Sequence, residues 1–330
     1  ALPEKGCVGI MGKNSPEWLD GFFATQKAGL TCVPVNTGLK SDGLAYVLEN
    51  AGVNLLLMDA YLYPMVGPLR PKLPALKHVV CIERQSPAPS GTTSYEAFVG
   101  GTGATVGRGA DPDPNSACLL MYTSGTTGHP KAVVYRYGSS QAKLMRFLAH
   151  MTLSHDDVYY TCLHLFHANA LMVTTLLSLY AGARVALSER FSATHFWNEV
   201  RASGATVFNT IGSMISILMK QPPSPLDRTH KVTRIISAAC PKEHWGPFQE
   251  RFGTRLIETY GAVDGGGIAT FNLGYGPAGS VGKPIPGTRY KLIGEDGSDV
   301  GVGRPGELAH YLGRQIDLSV EFHRNPEATI

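Results

Sequence analysis

The chain has 330 residues, of which 43% are hydrophobic and 17% charged, with a formal net charge of +3. That is apolar material for a substantial core, in one large domain with subdomains or in two domains, and so small a charge is no footprint for nucleic acid or an anionic membrane surface. No apolar run reaches the length of a membrane span, and 38 glycines with 22 prolines describe a loop-rich globular enzyme, not a coiled coil or a disordered tract.

The six cysteines (Cys7, Cys32, Cys81, Cys118, Cys162 and Cys240) are scattered, without a CxxC pair, mostly in apolar strand-like segments. They are expected as free thiols in a reducing compartment, which points to the cytoplasm. The N-terminal "ALPEKGCVGIMG" lacks the basic-then-apolar order of a signal peptide and runs almost at once into strand-like sequence. The expectation is that the chain begins inside a larger protein.

In chain order, "CVGIM" reads as a buried strand. "NSPEW" starts a helix, with Asn14 or Ser15 as N-cap, Pro16 at the first helical position and Glu17 in the first turn. Trp18, Leu19, Phe22 and Phe23 share one face, and Gly29 supplies the stop. "LTCVPVN" is the next strand, followed by a helix near Ser41–Ala51 and the strand "VNLLLMD". Residues 84–116 read as a Gly/Pro/Ser-rich excursion with one short helix at "SYEAF". Then come the strands "ACLLMY" and "KAVVYRY", a helix over 139–151, and a further alternation. In it "HFWNEVRASG" and "SMISILMK" are helices, while "ATVFNTI", "KVTRIISAAC" and "RLIETYG" are strands. Strands alternating with helices predict an α/β architecture with a largely parallel sheet. From residue 272 the chain is Gly/Pro-rich, and "RYKLI" and "GELAHYLG" predict short antiparallel strands of a β-rich subdomain over 272–330.

Between "ACLLMY" and "KAVVYRY" lies "TSGTTGHP". A loop so rich in Gly, Ser and Thr exposes backbone N–H groups and hydroxyls at one place, and Lys131 adds a cation, which together are what a polyphosphate requires. It is not a Walker loop: counting from Gly125, the second glycine of that pattern falls on Pro130. A plain hairpin turn would need two to five residues and no lysine.

"YTSGTTGHPKAV" closely resembles the phosphate-binding signature of the adenylate-forming superfamily, which includes acyl- and aryl-CoA synthetases, firefly-type luciferases and the adenylation domains of peptide synthetases. The order of "NSPEW", "LHLFHANA", "SAAC", "ETYGAVD", "GSVGKPIPG" and "GEL" agrees, so the resemblance covers nearly the whole chain. "HDDVYY", "FSATHFWNEVRASGATV" and "KQPPSPLDRTHK" look most like carnitine/crotonobetaine-CoA ligases and medium-chain acyl-CoA ligases. The implied fold has layered α/β subdomains with mostly parallel sheets over 1–271, followed by a small β-barrel-like subdomain.

The resemblance implies a two-step reaction. A carboxylate attacks the α-phosphate of ATP, and a thiol, usually of coenzyme A, then takes the acyl group from the adenylate. Thr123, Ser124, Gly125, Thr126, Thr127 and Gly128 would cradle the β/γ-phosphates, with Lys131 nearby. Tyr260, followed by Gly261, would stack on adenine, with Ser237, Ala238 and Ala239 on the other side. Asp264 would hold Mg²⁺, and His167 would stand near the carboxylate and the thiol path. Ala168, Phe208, Ile211, Gly212, Cys240, Gly265 and Gly266 would border an acyl pocket suited to an uncharged acyl or aryl tail, Cys240 as packing and not as a nucleophile. His164 and His167 lack a third ligand for a metal pair. The partners implied are a small carboxylic acid, ATP or AMP, and coenzyme A or a carrier protein, and a homodimer stays open.

Two departures matter. The family threonine aimed at the α-phosphate is Val263 here, and the family glutamate is Asp264. The family chain also has sequence before residue 1 and continues past "NPEAT" into a ribose-binding aspartate, a hinge and a mobile C-terminal domain, so this chain alone is expected to be poorly active. Alternatives are a carrier-loading adenylation domain and a degenerate nucleotide-binding homologue.

Overall fold

A computed structural model describes residues 2–100, 111–123, 129–139, 141–265, 267–311 and 320–329. Two seven-stranded sheets organise them. The first contains β1 (Cys7–Met11), β2 (Thr31–Pro34), β3 (Val53–Asp59), β4 (His78–Ile82), β5 (Thr93–Ser94), β6 (Ala117–Thr123) and β7 (Lys131–Arg136), ordered β5-β4-β3-β1-β2-β6-β7. The second contains β8 (Val158–Thr161), β9 (Arg184–Leu187), β10 (Val207–Ile211), β11 (Arg234–Ala238), β12 (Arg255–Ala262), β13 (Gly267–Asn272) and β14 (Lys283–Pro284), ordered β14-β13-β12-β11-β10-β8-β9. Both are parallel except for β7, β13 and β14, which pair antiparallel. A separate hairpin pairs β15 (Tyr290–Ile293) with β16 (Glu307–His310).

Apolar layers cover both faces of each sheet, which is why the strands read as continuous hydrophobic runs. In β1, Val8 and Ile10 point into one cluster while Met11 points into the other, the period of two expected of a strand. The cluster holding Val8, Ile10, Trp18 and Phe22 also holds Leu165, Ala170 and Leu171 from the second half, so the two sheets share a core. The helix Pro16–Lys27 starts as its sequence predicts, and Ser15, not Asn14, is the cap: its hydroxyl accepts the Trp18 amide at 3.0 Å.

Strand pairing runs across residue 272. β14 belongs to the second sheet, and Phe322 bridges Val133 of β7, so the last described stretch lies along the first sheet. The helix Lys242–Phe252 contains Gly246 and Pro247, which hide it from pattern reading. The run "NALMVTTL" forms a π-helix over Asn169–Leu176, buried enough that no polar stripe marks it.

Candidate active site

In the second sheet the chain passes from β8 to β9 on one side and returns to β10 on the other. Ligands of open α/β sheets lie at such a switch point, outside the carboxyl ends of the strands. The segment carrying His164 and His167 leaves β8 there, and beside it Ile211 ends β10 and Gly212 begins the next helix. His164 stacks on Phe166 at 5.0 Å, with His167 tilted against the same ring at 4.6 Å. Partial desolvation, and then His164, hold the His167 imidazole below its ordinary pKa, so the exposed ring is neutral near pH 7.

Along the same edge β11 ends in a constrained turn. Ala239 has φ +62°, a left-handed conformation unusual for a residue with a Cβ. A Cβ on Gly212 would lie 1.9 Å from the Ala239 carbonyl oxygen, so glycine is required for the approach of the next helix. The turn is tied to β12 by Glu258, which is 3% exposed and whose Oε1 accepts the Cys240 amide at 3.1 Å. Burial raises the Glu258 pKa, while the Ser237 hydroxyl and the Cys240 and Ala239 amides pull the other way. Two residues on, Tyr260 stands 45% exposed at the same edge. The bulge that follows it needs Gly261, whose Cβ would come within 2.4 Å of the Gly267 carbonyl oxygen.

The signature sits on the β6–β7 hairpin. Thr123 pairs with Lys131 at its mouth, and Ser124, Gly125, Thr126, Thr127 and Gly128 lie outside the described residues, as does Gly266. Lys131 is exposed, with its ammonium 5.7 Å from the Phe322 ring centre. The turn Val263–Gly265 packs against β6. Val263 joins the apolar cluster that contains Met121, and the exposed Asp264 carboxylate lies close enough to Tyr135 of β7 to add to the burial that raises that phenol's pKa. The fold thus brings the β6–β7 hairpin, Asp264, Tyr260 and the 237–240 turn to one region from three separated stretches of sequence.

Two expected pocket residues are turned elsewhere. Phe208 is 0% exposed and meets Phe196 and Trp197 edge-on at 5.0 and 5.8 Å, inside the outer core of the second sheet. Strand parity explains this: Asn209, its neighbour, faces the other way and donates to Asn169 at the start of the π-helix. Cys240 is buried in the same cluster as Phe208, and burial, with Glu258 and Glu243, pushes its thiol up to about 12. It contributes packing and its backbone amide. Ala168 is half-buried, whereas Ile211 and Gly265 are exposed at the edge. Glu258 was missed in the sequence. Its signal is a lone carboxylate inside an apolar strand, on the same face as Tyr260.

A family model for AMP-binding enzymes matches residues 3–311, and the chain belongs to that family. It is 32% identical over 253 residues to the crotonobetaine/carnitine–CoA ligases of Salmonella paratyphi A and Salmonella typhi, matches that cover 76% of this chain. They cover 49% of each enzyme, so the chain spans about half the length of these curated relatives. Its fold matches an anthranilate CoA ligase in complex with anthranoyl-AMP, with TM-score 0.87 and 24% identity, over 98% of this chain and 63% of that one. It also matches the N-terminal domain of FACL13 from Mycobacterium tuberculosis, with TM-score 0.82 and 19% identity, over 99% and 80% of the two chains. The layered α/β fold with its two mostly parallel sheets is therefore that of the superfamily's N-terminal domain. Among the described residues no helix is long and apolar enough to cross a membrane.

Proposed function

We propose that the protein activates a carboxylic acid as its acyl-adenylate with ATP and passes the acyl group to the thiol of coenzyme A. The observation that carries this reading is the packing of the Val263–Gly265 turn on β6, which puts Asp264 beside the hairpin bearing "TSGTTGHPK". Proteins of the same fold hold ATP and anthranoyl-AMP.

The physical problem is to bring two anions together and stabilise the charge that builds on the α-phosphate. The loop amides and hydroxyls with Lys131 take the β/γ-phosphates, and Tyr260 and the Ala238–Ala239 backbone enclose adenine. Among the described residues no three His, Cys, Asp or Glu side chains gather as a metal cage. A single exposed carboxylate, Asp264, fits Mg²⁺, which keeps water and substrate phosphates as its other ligands. The metal would neutralise phosphate charge. Neutral His167 serves the carboxylate and thiol side as a hydrogen-bond partner. The acid is read as an acyl or aryl carboxylate with an uncharged tail, and the relatives' names add betaines to the panel.

The test is carboxylate-dependent ATP–pyrophosphate exchange with Mg²⁺, over short and medium fatty acids, aryl acids, betaines and amino acids. Exchange with one class supports the reading, and adding coenzyme A or a carrier protein then decides the acceptor. ATP binding without exchange for any acid refutes it. That result favours a second reading, a nucleotide-binding homologue without adenylation, for which Val263 in place of a hydroxyl donor is the specific observation.

A further inference from the structure

Asn14 takes no part in the site as built above, and Ser15 caps the helix, so its side chain is free for another purpose. It is 5% exposed, and its side-chain hydrogen bonds run to the second half of the molecule. Nδ2 donates to the carbonyls of Leu163 at 2.8 Å and Ser188 at 2.9 Å, and Oδ1 accepts the Leu165 amide at 2.8 Å. Asn14 follows β1, from which the chain reaches β2 on one side and then β3 on the other, so it stands at the switch point of the first sheet. There the Asn14 amide meets a loop of the second sheet.

That loop is the segment bearing His164 and His167. Its own main-chain ties among the described residues are a turn, His167 N–H to the His164 carbonyl at 2.9 Å, and the Leu171 N–H to the His167 carbonyl at 3.1 Å, and neither holds Leu163 or Leu165. Leu165 is 1% exposed, so without Asn14 its amide would be buried and unpaired, a state the segment escapes only by moving. We propose that Asn14 is the positioning residue for 163–168, fixing where His164 and His167 stand for the acid and thiol half of the reaction. This rests on the reading of His167 given above. Asn14 touches neither the hairpin nor the 237–240 turn through its side-chain hydrogen bonds, so its effect falls on the acid and not on ATP.

The experiment compares Asn14→Ala and Asn14→Asp with Thr31→Val, which removes a hydroxyl-to-carbonyl bond (Thr31 to Ala117, 2.9 Å) inside the first sheet. The readouts are exchange kinetics, thermal midpoint and hydrogen exchange at the Leu165 amide. Asn14→Ala is expected to raise the KM for the acid about tenfold, the factor given by a bias of about 1.4 kcal/mol, with the KM for ATP within about twofold. Asn14→Asp keeps the acceptor but turns an oxygen toward two carbonyls, so its acid KM rises at least as far. Both variants speed exchange at Leu165, and Thr31→Val lowers the midpoint without moving either KM. Loss of midpoint with an unchanged acid KM, or equal movement of both KM values, overturns the assignment, because a merely structural residue changes the amount of active protein and not this ratio. An unchanged Leu165 exchange rate overturns the clamp itself, even if the native protein turns over no acid. Absence of exchange in the native protein refutes the reading of the site and the assigned role together.

Discussion

Replacing Gly212 by alanine tests how tightly the 237–240 turn, on the proposed adenine side, is built. The new methyl carbon would start 1.9 Å from the Ala239 carbonyl oxygen and 2.9 Å from its carbonyl carbon. Ordinary contact is about 3.5 Å, so one of the two backbones must retreat by about 1.5 Å. Neither is free to do so. Gly212 begins a helix whose Met214, Ile215 and Leu218 are buried, and Ala239 sits at φ +62° with the next amide held by Glu258. Yielding on the turn side breaks a hydrogen bond to a buried carboxyl, worth about 1.5–3 kcal/mol if charged, and yielding on the helix side costs about 1–3 kcal/mol of overpacking. The expected result is a loss of about 2–3 kcal/mol in chemical denaturation, with ATP affinity down at least about tenfold. Denaturant melts and calorimetric titration with ATP read both quantities. A variant that unfolds within about 0.5 kcal/mol of the native protein and binds ATP normally would show that the turn is slack and that its geometry does not set the nucleotide site.

Three other outcomes are expected. Val263→Thr should raise the exchange rate, since a hydroxyl aimed at the α-phosphate is typically worth about 10²–10³ in rate; an unchanged rate means that residue 263 faces only the core cluster it packs against. Phe208→Ala should cost about 3–5 kcal/mol of stability and leave the acid preference unchanged, and a shifted preference would return Phe208 to the pocket. Glu258 has a raised pKa in the fold, so the stability it contributes is full below its unfolded value of about 4.3 and is lost as pH rises through the folded value. Stability measured upward from about pH 4 should therefore fall in the native protein relative to Glu258→Gln, and parallel curves or the opposite slope refute the burial argument.

Much of the fold was legible because its signals are local. "NSPEW" specifies a cap, a proline and an acidic first turn, and the helix Pro16–Lys27 begins there. "VNLLLMD" is long enough and apolar enough to be only a buried strand, and it is β3 from end to end. Elements without a local signature escaped: β8 is four residues long, and the helix Lys242–Phe252 carries its own breakers. The motif "TSGTTGHPK" is written in consecutive residues, and its phosphate role belongs to the proposed function.

The sequence by itself determined the residue types on which the proposed nucleotide site rests: a Gly/Ser/Thr loop with Lys131, a tyrosine before glycine, and Asp264. Tertiary structure alone decided which side chains face that edge. It turned Phe208 into the core and Asn209 away from it, because parity is settled by which layer covers each face. It made Glu258 the anchor of the Ala239 turn and Asn14 the clamp on the histidine segment. Those two contacts join residues 18 and 151 positions apart, and no pattern within a window of sequence encodes a separation that only the pairing of strands and sheets creates.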